Sequence, residues 1–176
     1  MVAKRMQENL KRCKLLVLDF DGVLTDNKVY TDQHGVEFVR CDRSDSLGIE
    51  LVKKHTDVEI IILSKEKNPV VAARAKKLHV PCLQGVDDKL SLLKNELAAR
   101  NILPDSICFV GNDINDIECL MSAGVGVAVH DSHPEVLKIA DWRTEKRGGD
   151  GAVREVCELI LKAKEKWYDI LHKKTN

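Results

Sequence analysis

The sequence predicts a doubly wound, Rossmann-like α/β domain built on a parallel sheet, and three observations predict it. Four short runs are almost continuously apolar: KLLVLDF (14–20), VEIIILS (58–64), ICFVGN (107–112) and GVGVAV (124–129). Strands look like this when helices cover both faces of their sheet. The stretches between them carry apolar residues at helical spacing. Polar residues close three of the runs, and the carboxyl ends of the strands are where an open parallel sheet binds its ligands.

The elements follow in order. The first strand delivers Asp19 and Asp21 to one place, ahead of Gly22. Residues 28–40 (KVYTDQHGVEFVR) predict a β-hairpin turning at Asp32-Gln33-His34-Gly35, inserted directly after that strand. Val71, Ala75 and Leu78 mark the next helix, with Asn68-Pro69 as its N-cap and first residue. Leu90, Leu93 and Leu97 mark a second helix, and Ile114, Ile117 and Met121 a third. A C-terminal helix over about 151–168 starts after GGDG with Asp150 as its N-cap; it carries Val153, Val156, Ile160 and Trp167 on one side, and the Lys-rich tail docks through Trp167 and Leu171. Strand–helix alternation over residues 1–176, without repeats or linkers, predicts a single domain with charged, frayed ends at 1–10 and 170–176.

Composition narrows the function. Twenty-eight basic and 28 acidic residues leave a net charge of zero, which gives no electrostatic case for nucleic acid. No apolar stretch is long enough to span a bilayer and the first twelve residues are too charged for a secretory signal, so no membrane partner is expected. The six cysteines are scattered without C-x-x-C pairs and read as reduced, mostly buried thiols of a cytoplasmic protein. The six histidines show no metal spacing.

The polar strand ends form one chemical set. Asp19 and Asp21, at i and i+2 of an extended segment, face the same way. Two carboxylates held together repel, and a hard divalent cation, Mg²⁺, relieves that conflict through oxygen ligands. GNDIND supplies a further oxygen from Asn112 or Asp113, with Asp116 close behind. Ser64 and Lys89 add a hydroxyl and an ammonium for the peripheral oxygens of an anion. Carboxylate nucleophile, metal, hydroxyl and lysine together describe phosphoryl transfer to an aspartate.

In this order, D-x-D-G-x-x-T-D, a strand-ending Ser, a downstream Lys and G-N-D-x-x-D resemble the four motifs of the haloacid dehalogenase superfamily. DFDGVLTDNKVYTDQHGVEF, SDSLGI, VDDKL and GGDGAVRE are similar to its small branch without a cap domain, which dephosphorylates 3-deoxy-2-ulosonic acid sugars. That branch includes the phosphatases for octulosonate 8-phosphate and nonulosonate (sialic acid-type) 9-phosphates, and relatives fused to CMP-sialic acid synthetases. The resemblance implies that Asp19 is the nucleophile and Asp21 the general acid and base, whose carbonyl also binds Mg²⁺. It implies that Ser64 and Lys89 hold the phosphoryl group, that Asn112 stands where an Asp is the usual metal ligand with Asp113 beside it at the metal, and that Asp116 and Thr25 support the site. Substrate contacts are expected from Asp45, Glu66, Arg74 and Lys77, and a homotetramer in which the hairpin meets a neighbouring subunit. Two other readings compete: a phosphoacceptor receiver domain, and a non-catalytic oligomerisation module associated with sialic acid activation. The intact D-x-D argues against the second, and the hairpin after the first strand against the first.

Overall fold

The apolar run after Lys14 forms β1 (Leu15–Leu18), the strand on which the molecule is organised in this computed structural model, which describes residues 2–172. Ahead of it lies α1 (Val2–Arg12). After it come the hairpin strands β2 (Thr25–Thr31) and β3 (Glu37–Cys41), then α2 (Arg43–His55), β4 (Glu59–Leu63), α3 (Val70–Leu78) and β5 (Cys82–Leu83). The second half runs α4 (Lys89–Arg100), β6 (Ile107–Gly111), α5 (Ile117–Ser122), β7 (Val125–Ala128), α6 (Pro134–Ile139), β8 (Trp142–Arg143), α7 (Ala152–Ala163) and α8 (Trp167–His172).

The sheet has six parallel strands in the order β5-β4-β1-β6-β7-β8. The chain builds outward from β1 through β4 to β5, then crosses back to lay β6 on the other side of β1. That reversal opens a crevice at the carboxyl ends of β4, β1 and β6. Register holds the three ends level: Leu18 pairs with Ile62 on one side and Val110 on the other. Successive side chains of β1 enter opposite cores. Leu16 and Leu18 pack with residues of α1, α2, α3 and α7, whereas Leu15 and Val17 pack with residues of α4, α5 and α6. Burial on both faces is the physical reason for the unbroken apolar runs.

The hairpin stands apart as its own two-stranded antiparallel sheet, with Val29 opposite Val39 and Tyr30 opposite Phe38. Gly35 turns it with φ 76°. All six cysteines are free thiols, four of them buried.

Several expectations are corrected. Residues 2–12 are helical, and Asn9 and Leu10 are buried, with Asn9 Nδ2 donating to the Gly124 carbonyl at 2.8 Å. Residues 173–176 of the second predicted frayed end lie outside the described residues. The helix after GNDIND starts only at Ile117, because Asp113 caps a 3-10 turn over Ile114–Asp116; Ile114 and Met121 are therefore exposed and Cys119 and Leu120 take the core. The C-terminal helix is two helices, broken where Glu165 adopts φ 59°. Trp167 still packs on the core, between Arg154 and Lys162, but Leu171 is exposed and Ile170 takes its place. Asn68 Oδ1 accepts the Val70 N–H as expected of a cap, although the helix begins one residue after Pro69.

Asp150 does not cap α7. Gly151 occupies that position and Asp150 pairs with Arg40. The carboxylate at that helix end is Asp45, from the first turn of α2, whose Oδ1 accepts the Arg154 N–H at 2.8 Å. Asp45 is wholly buried and its Oδ2 has no partner. It is therefore a structural joint between α2 and α7, out of reach of a substrate. Burial pushes its carboxyl up to about 7, against the Arg154 N–H and the nearby Arg74 charge.

An acid whose pKa is higher folded than unfolded binds extra protons in the native state between the two values, so its contribution to stability falls as pH rises through that window. Asp45→Asn removes that penalty and keeps the oxygen that caps α7. The melting temperature of D45N minus that of the wild type should increase steadily between about pH 4 and about pH 8. A difference constant with pH would refute the assignment.

Candidate active site

The crevice is floored by the turn that follows β1. The Val23, Leu24 and Thr25 N–H groups all donate to the Phe20 carbonyl, which folds the chain sharply back. Thr25, fully buried, accepts the Gly22 N–H at 3.1 Å and the Asn27 N–H at 3.3 Å through Oγ1. Gly22 has φ 79°, and a Cβ there would collide with the Asn112 carboxamide, so only glycine fits. The GGDG segment closes the turn from behind: a Cβ on Gly148 would strike the Gly22 carbonyl.

Lys89 lies at the heart of the site. It is 3% exposed, and its Nζ donates at 2.7 Å both to Asp19 Oδ1 and to Asp116 Oδ1. Lys89 is also the first residue of α4, where the helix dipole disfavours a cation. Burial alone would lower its pKa, but the two carboxylates outweigh that and hold it above the ordinary value. Asp19, 5% exposed, is pushed up by burial and by Asp116, with Lys89 opposing. The second oxygen of Asp116 accepts the Asn112 N–H at 2.9 Å and the Asp113 N–H at 3.3 Å, so one carboxylate orients both the lysine and the β6 turn. Asp21 is half-buried, and its carboxyl is raised by burial and by Glu66.

Three oxygens converge beside this pair. In one orientation of the Asn112 carboxamide, its oxygen lies 3.2 Å from Asp19 Oδ2 and 2.9 Å from the Asp21 carbonyl oxygen. Octahedral Mg²⁺ at about 2.0–2.1 Å from each ligand separates neighbouring ligand oxygens by about 3 Å. The donor set fits such an ion in chemistry and spacing. Among the described residues no group of three or more His, Cys, Asp and Glu side chains is gathered to hold a metal; here an amide and a main-chain carbonyl stand in for two carboxylates. Asp113 does not join the set, because its carboxylate caps the following turn and accepts the Ile114 N–H at 2.7 Å.

The oxygens open into a pocket of about 410 Å³ lined by Asp19, Asp21, Ser64, Glu66, Asn112 and Asp113, together with Asn27, Lys65, Lys67 and Asn115. Ser64 is 1% exposed, and its Oγ accepts the Glu66 N–H at 3.0 Å. Glu66 sits on the wall and accepts the N–H groups of Lys67 and Asn68. Arg74 and Lys77 do not reach this pocket. Arg74 donates to the Asp42 carbonyl and to Ser46 Oγ, and Lys77 borders a separate groove between α2 and α3. Sequence reasoning missed Asn27, Lys67 and Asn115. Asn27 had a usable signal: it follows D-G-x-x-T-D directly and takes φ 61°, a conformation asparagine tolerates.

Comparison with known proteins places the chain in a family. The family described as haloacid dehalogenase-like hydrolase matches residues 83–156. The 3-deoxy-D-manno-octulosonate 8-phosphate phosphatase of Escherichia coli is 35% identical over 166 residues, covering 94% of this chain and 88% of its own. A HAD family hydrolase from Streptomyces avermitilis superposes with a TM-score of 0.84 at 44% identity, over 86% of this chain and 87% of its own. The octulosonate 8-phosphate phosphatase of Moraxella catarrhalis, crystallised with a magnesium ion, a phosphate ion and KDO, superposes with a TM-score of 0.92 at 31% identity, over 96% and 97%. The chain belongs to the haloacid dehalogenase-like hydrolases, within the branch of phosphoric monoester hydrolases that contains these octulosonate phosphatases.

Removing the lysine leaves two buried carboxylates facing each other. Lys89→Met should cost about 3–5 kcal/mol near pH 8, measured by urea unfolding. The loss should shrink near pH 5, where Asp19, its carboxyl already raised to about 7, takes up a proton. A loss equally large at both pH values would mean that packing, not charge, holds this centre.

Proposed function

We propose that this chain, acting as a single domain, is a Mg²⁺-dependent phosphatase that hydrolyses a phosphorylated 3-deoxy-2-ulosonic acid through an aspartyl-phosphate on Asp19. The observation that carries the reading is the convergence of Asp19, Lys89, Ser64 and the three-oxygen donor set at one sheet crevice. Its relatives in Escherichia coli and Moraxella catarrhalis are octulosonate 8-phosphate phosphatases, which supports a sugar acid as substrate.

Asp19 Oδ2, the Asp21 carbonyl and Asn112 Oδ1 would hold the cation, which supplies positive charge beside the transferring phosphoryl group. An Asp19 carboxylate oxygen attacks phosphorus as the bond to the sugar oxygen breaks. Lys89 keeps Asp19 aimed and, with the Ser64 hydroxyl, compensates charge on the phosphoryl oxygens. Asp21, whose carboxyl burial and Glu66 raise and so bias toward the acid form, gives a proton to the departing sugar oxygen. The resulting carboxylate then takes a proton from the water that cleaves the aspartyl-phosphate, which returns Asp19 and releases inorganic phosphate.

Glu66 is positioned to accept hydrogen bonds from sugar hydroxyls at the pocket wall. Arg74 and Lys77, which lie outside the pocket of their own chain, would meet a substrate only across a subunit boundary. In the expected homotetramer the hairpin would make the subunit contact: Val29, Tyr30, Val36 and Phe38 are each at least half exposed, an apolar surface of the kind that packs against a neighbouring subunit. Octulosonate 8-phosphate and nonulosonate 9-phosphate both remain candidates for the substrate.

The test is release of inorganic phosphate from a panel of eight- and nine-carbon ulosonate phosphates, with Mg²⁺ and with EDTA. Turnover should require the metal and fall by about 10³-fold or more in Asp19→Asn. Equal release by wild type and D19N, or none by either, would overturn the reading; the second result would favour the non-catalytic oligomerisation module.

A further inference from the structure

We infer that the Asn112 carboxamide is a two-position switch: its oxygen ligates the cation, and after a half-turn its nitrogen latches Asp19 to the Asp21 backbone when no cation is bound. The inference rests on the divalent-cation reading of the site and concerns what this residue does that an aspartate there would not.

An amide oxygen set against a carboxylate oxygen at 3.2 Å and a carbonyl oxygen at 2.9 Å attracts neither. A cation among the three oxygens resolves the conflict. So does a half-turn of the amide, after which Nδ2 occupies the same place and donates to Asp19 Oδ2 and to the Asp21 carbonyl. Asparagine is the side chain that satisfies both states without moving its backbone; an aspartate satisfies only the first.

The surroundings fix the Asn112 main chain. The Asn112 N–H donates to Asp116 Oδ2 at 2.9 Å, and the Asn112 carbonyl accepts the His133 N–H at 2.8 Å. The residue is 7% exposed. Gly22 faces the amide from the opposite side, where any side chain would collide with it. The hinge is thus clamped at both main-chain groups, and the two states differ only in which amide atom faces Asp19 and the Asp21 carbonyl.

The consequence is a trade between metal affinity and tolerance of metal loss. Asn112 gives up one negative charge in the donor set, which weakens cation binding. In return the cation-free site gains two hydrogen bonds and avoids a further carboxylate beside Asp19, Asp21 and Asp116. Asn112→Asp should bind Mg²⁺ at least about tenfold more tightly, and its EDTA-treated form should melt below wild type.

The experiment reads metal binding and the amide itself, not turnover. Mg²⁺ is titrated calorimetrically into full-length wild type and N112D, and ¹H–¹⁵N spectra follow the Asn112 side-chain NH₂ pair, assigned by its loss in N112D. In EDTA the pair should show hydrogen-bond coupling to the Asp19 carboxyl and Asp21 carbonyl carbons, and Mg²⁺ should abolish that coupling and shift both signals. If N112D fails to fold, the wild-type amide spectra decide alone. Wild type that binds Mg²⁺ with unmoved amide signals, or folded N112D that binds no more tightly, overturns the switch and leaves the phosphatase reading standing. No Mg²⁺ binding by wild type overturns the switch together with the metal reading, which the phosphate-release panel then checks separately.

Discussion

One ammonium group shared by two buried carboxylates holds the functional end of this protein together. Lys89 opens α4, Asp19 closes β1 and Asp116 ends the turn after β6, so the two 2.7 Å contacts join three elements that are distant in sequence. Neither carboxylate is tolerable in that place without the lysine, nor the lysine at a helix N-terminus without the carboxylates. The balance is also incomplete. Asp19, Asp116 and nearby Asp21 set three acidic groups against one cation; burial and Asp116 raise the pKa of Asp19, and burial and Glu66 raise that of Asp21. On the proposed reading a cation makes up that deficit, and the oxygens of Asp19, Asp21 and Asn112 would be its ligands.

The backbone around the knot is packed so closely that side chains would break it. Gly22, Gly148 and Gly149 let the turn after β1, the β6 turn and the GGDG loop stack with main chain against main chain or amide. Arg40 bridges Asp26 in the hairpin and Asp150 in that loop, and Asn68 ties the loop beyond β4 to Glu37 of the hairpin at 2.8 Å. The turn after β1, the hairpin and the start of α7 are therefore one connected frame, which explains why GGDG, far from the aspartates in sequence, packs against the same crevice.

Most of this was legible in the sequence where one strong constraint acts on a contiguous run. Double-sided burial made β1, β4, β6 and β7 visible as unbroken apolar stretches, and the polar residues closing them located the crevice. The two-residue strands β5 and β8 carry too few side chains for any pattern to show. Helix α2 was hidden because its first turn, Arg43-Ser44-Asp45-Ser46, looked like a polar recognition motif; Asp45 serves helix packing instead. Ile114 and Met121 kept helical spacing with Ile117, but the Asp113 cap shifted the helix start and turned that stripe outward. Of the residues expected to contact substrate, Glu66 lies on the pocket wall whereas Arg74 and Lys77 lie outside it, because sequence spacing cannot say which wall of a helix a cleft adjoins.

The most direct measurement is a crystal structure grown with Mn²⁺ in place of Mg²⁺, with anomalous scattering used to locate the ion. A single strong peak within about 2.2 Å of Asp19 Oδ2, the Asp21 carbonyl oxygen and Asn112 Oδ1 is the expected result. Manganese bound elsewhere, with Asp19 held by Lys89 alone, would contradict it.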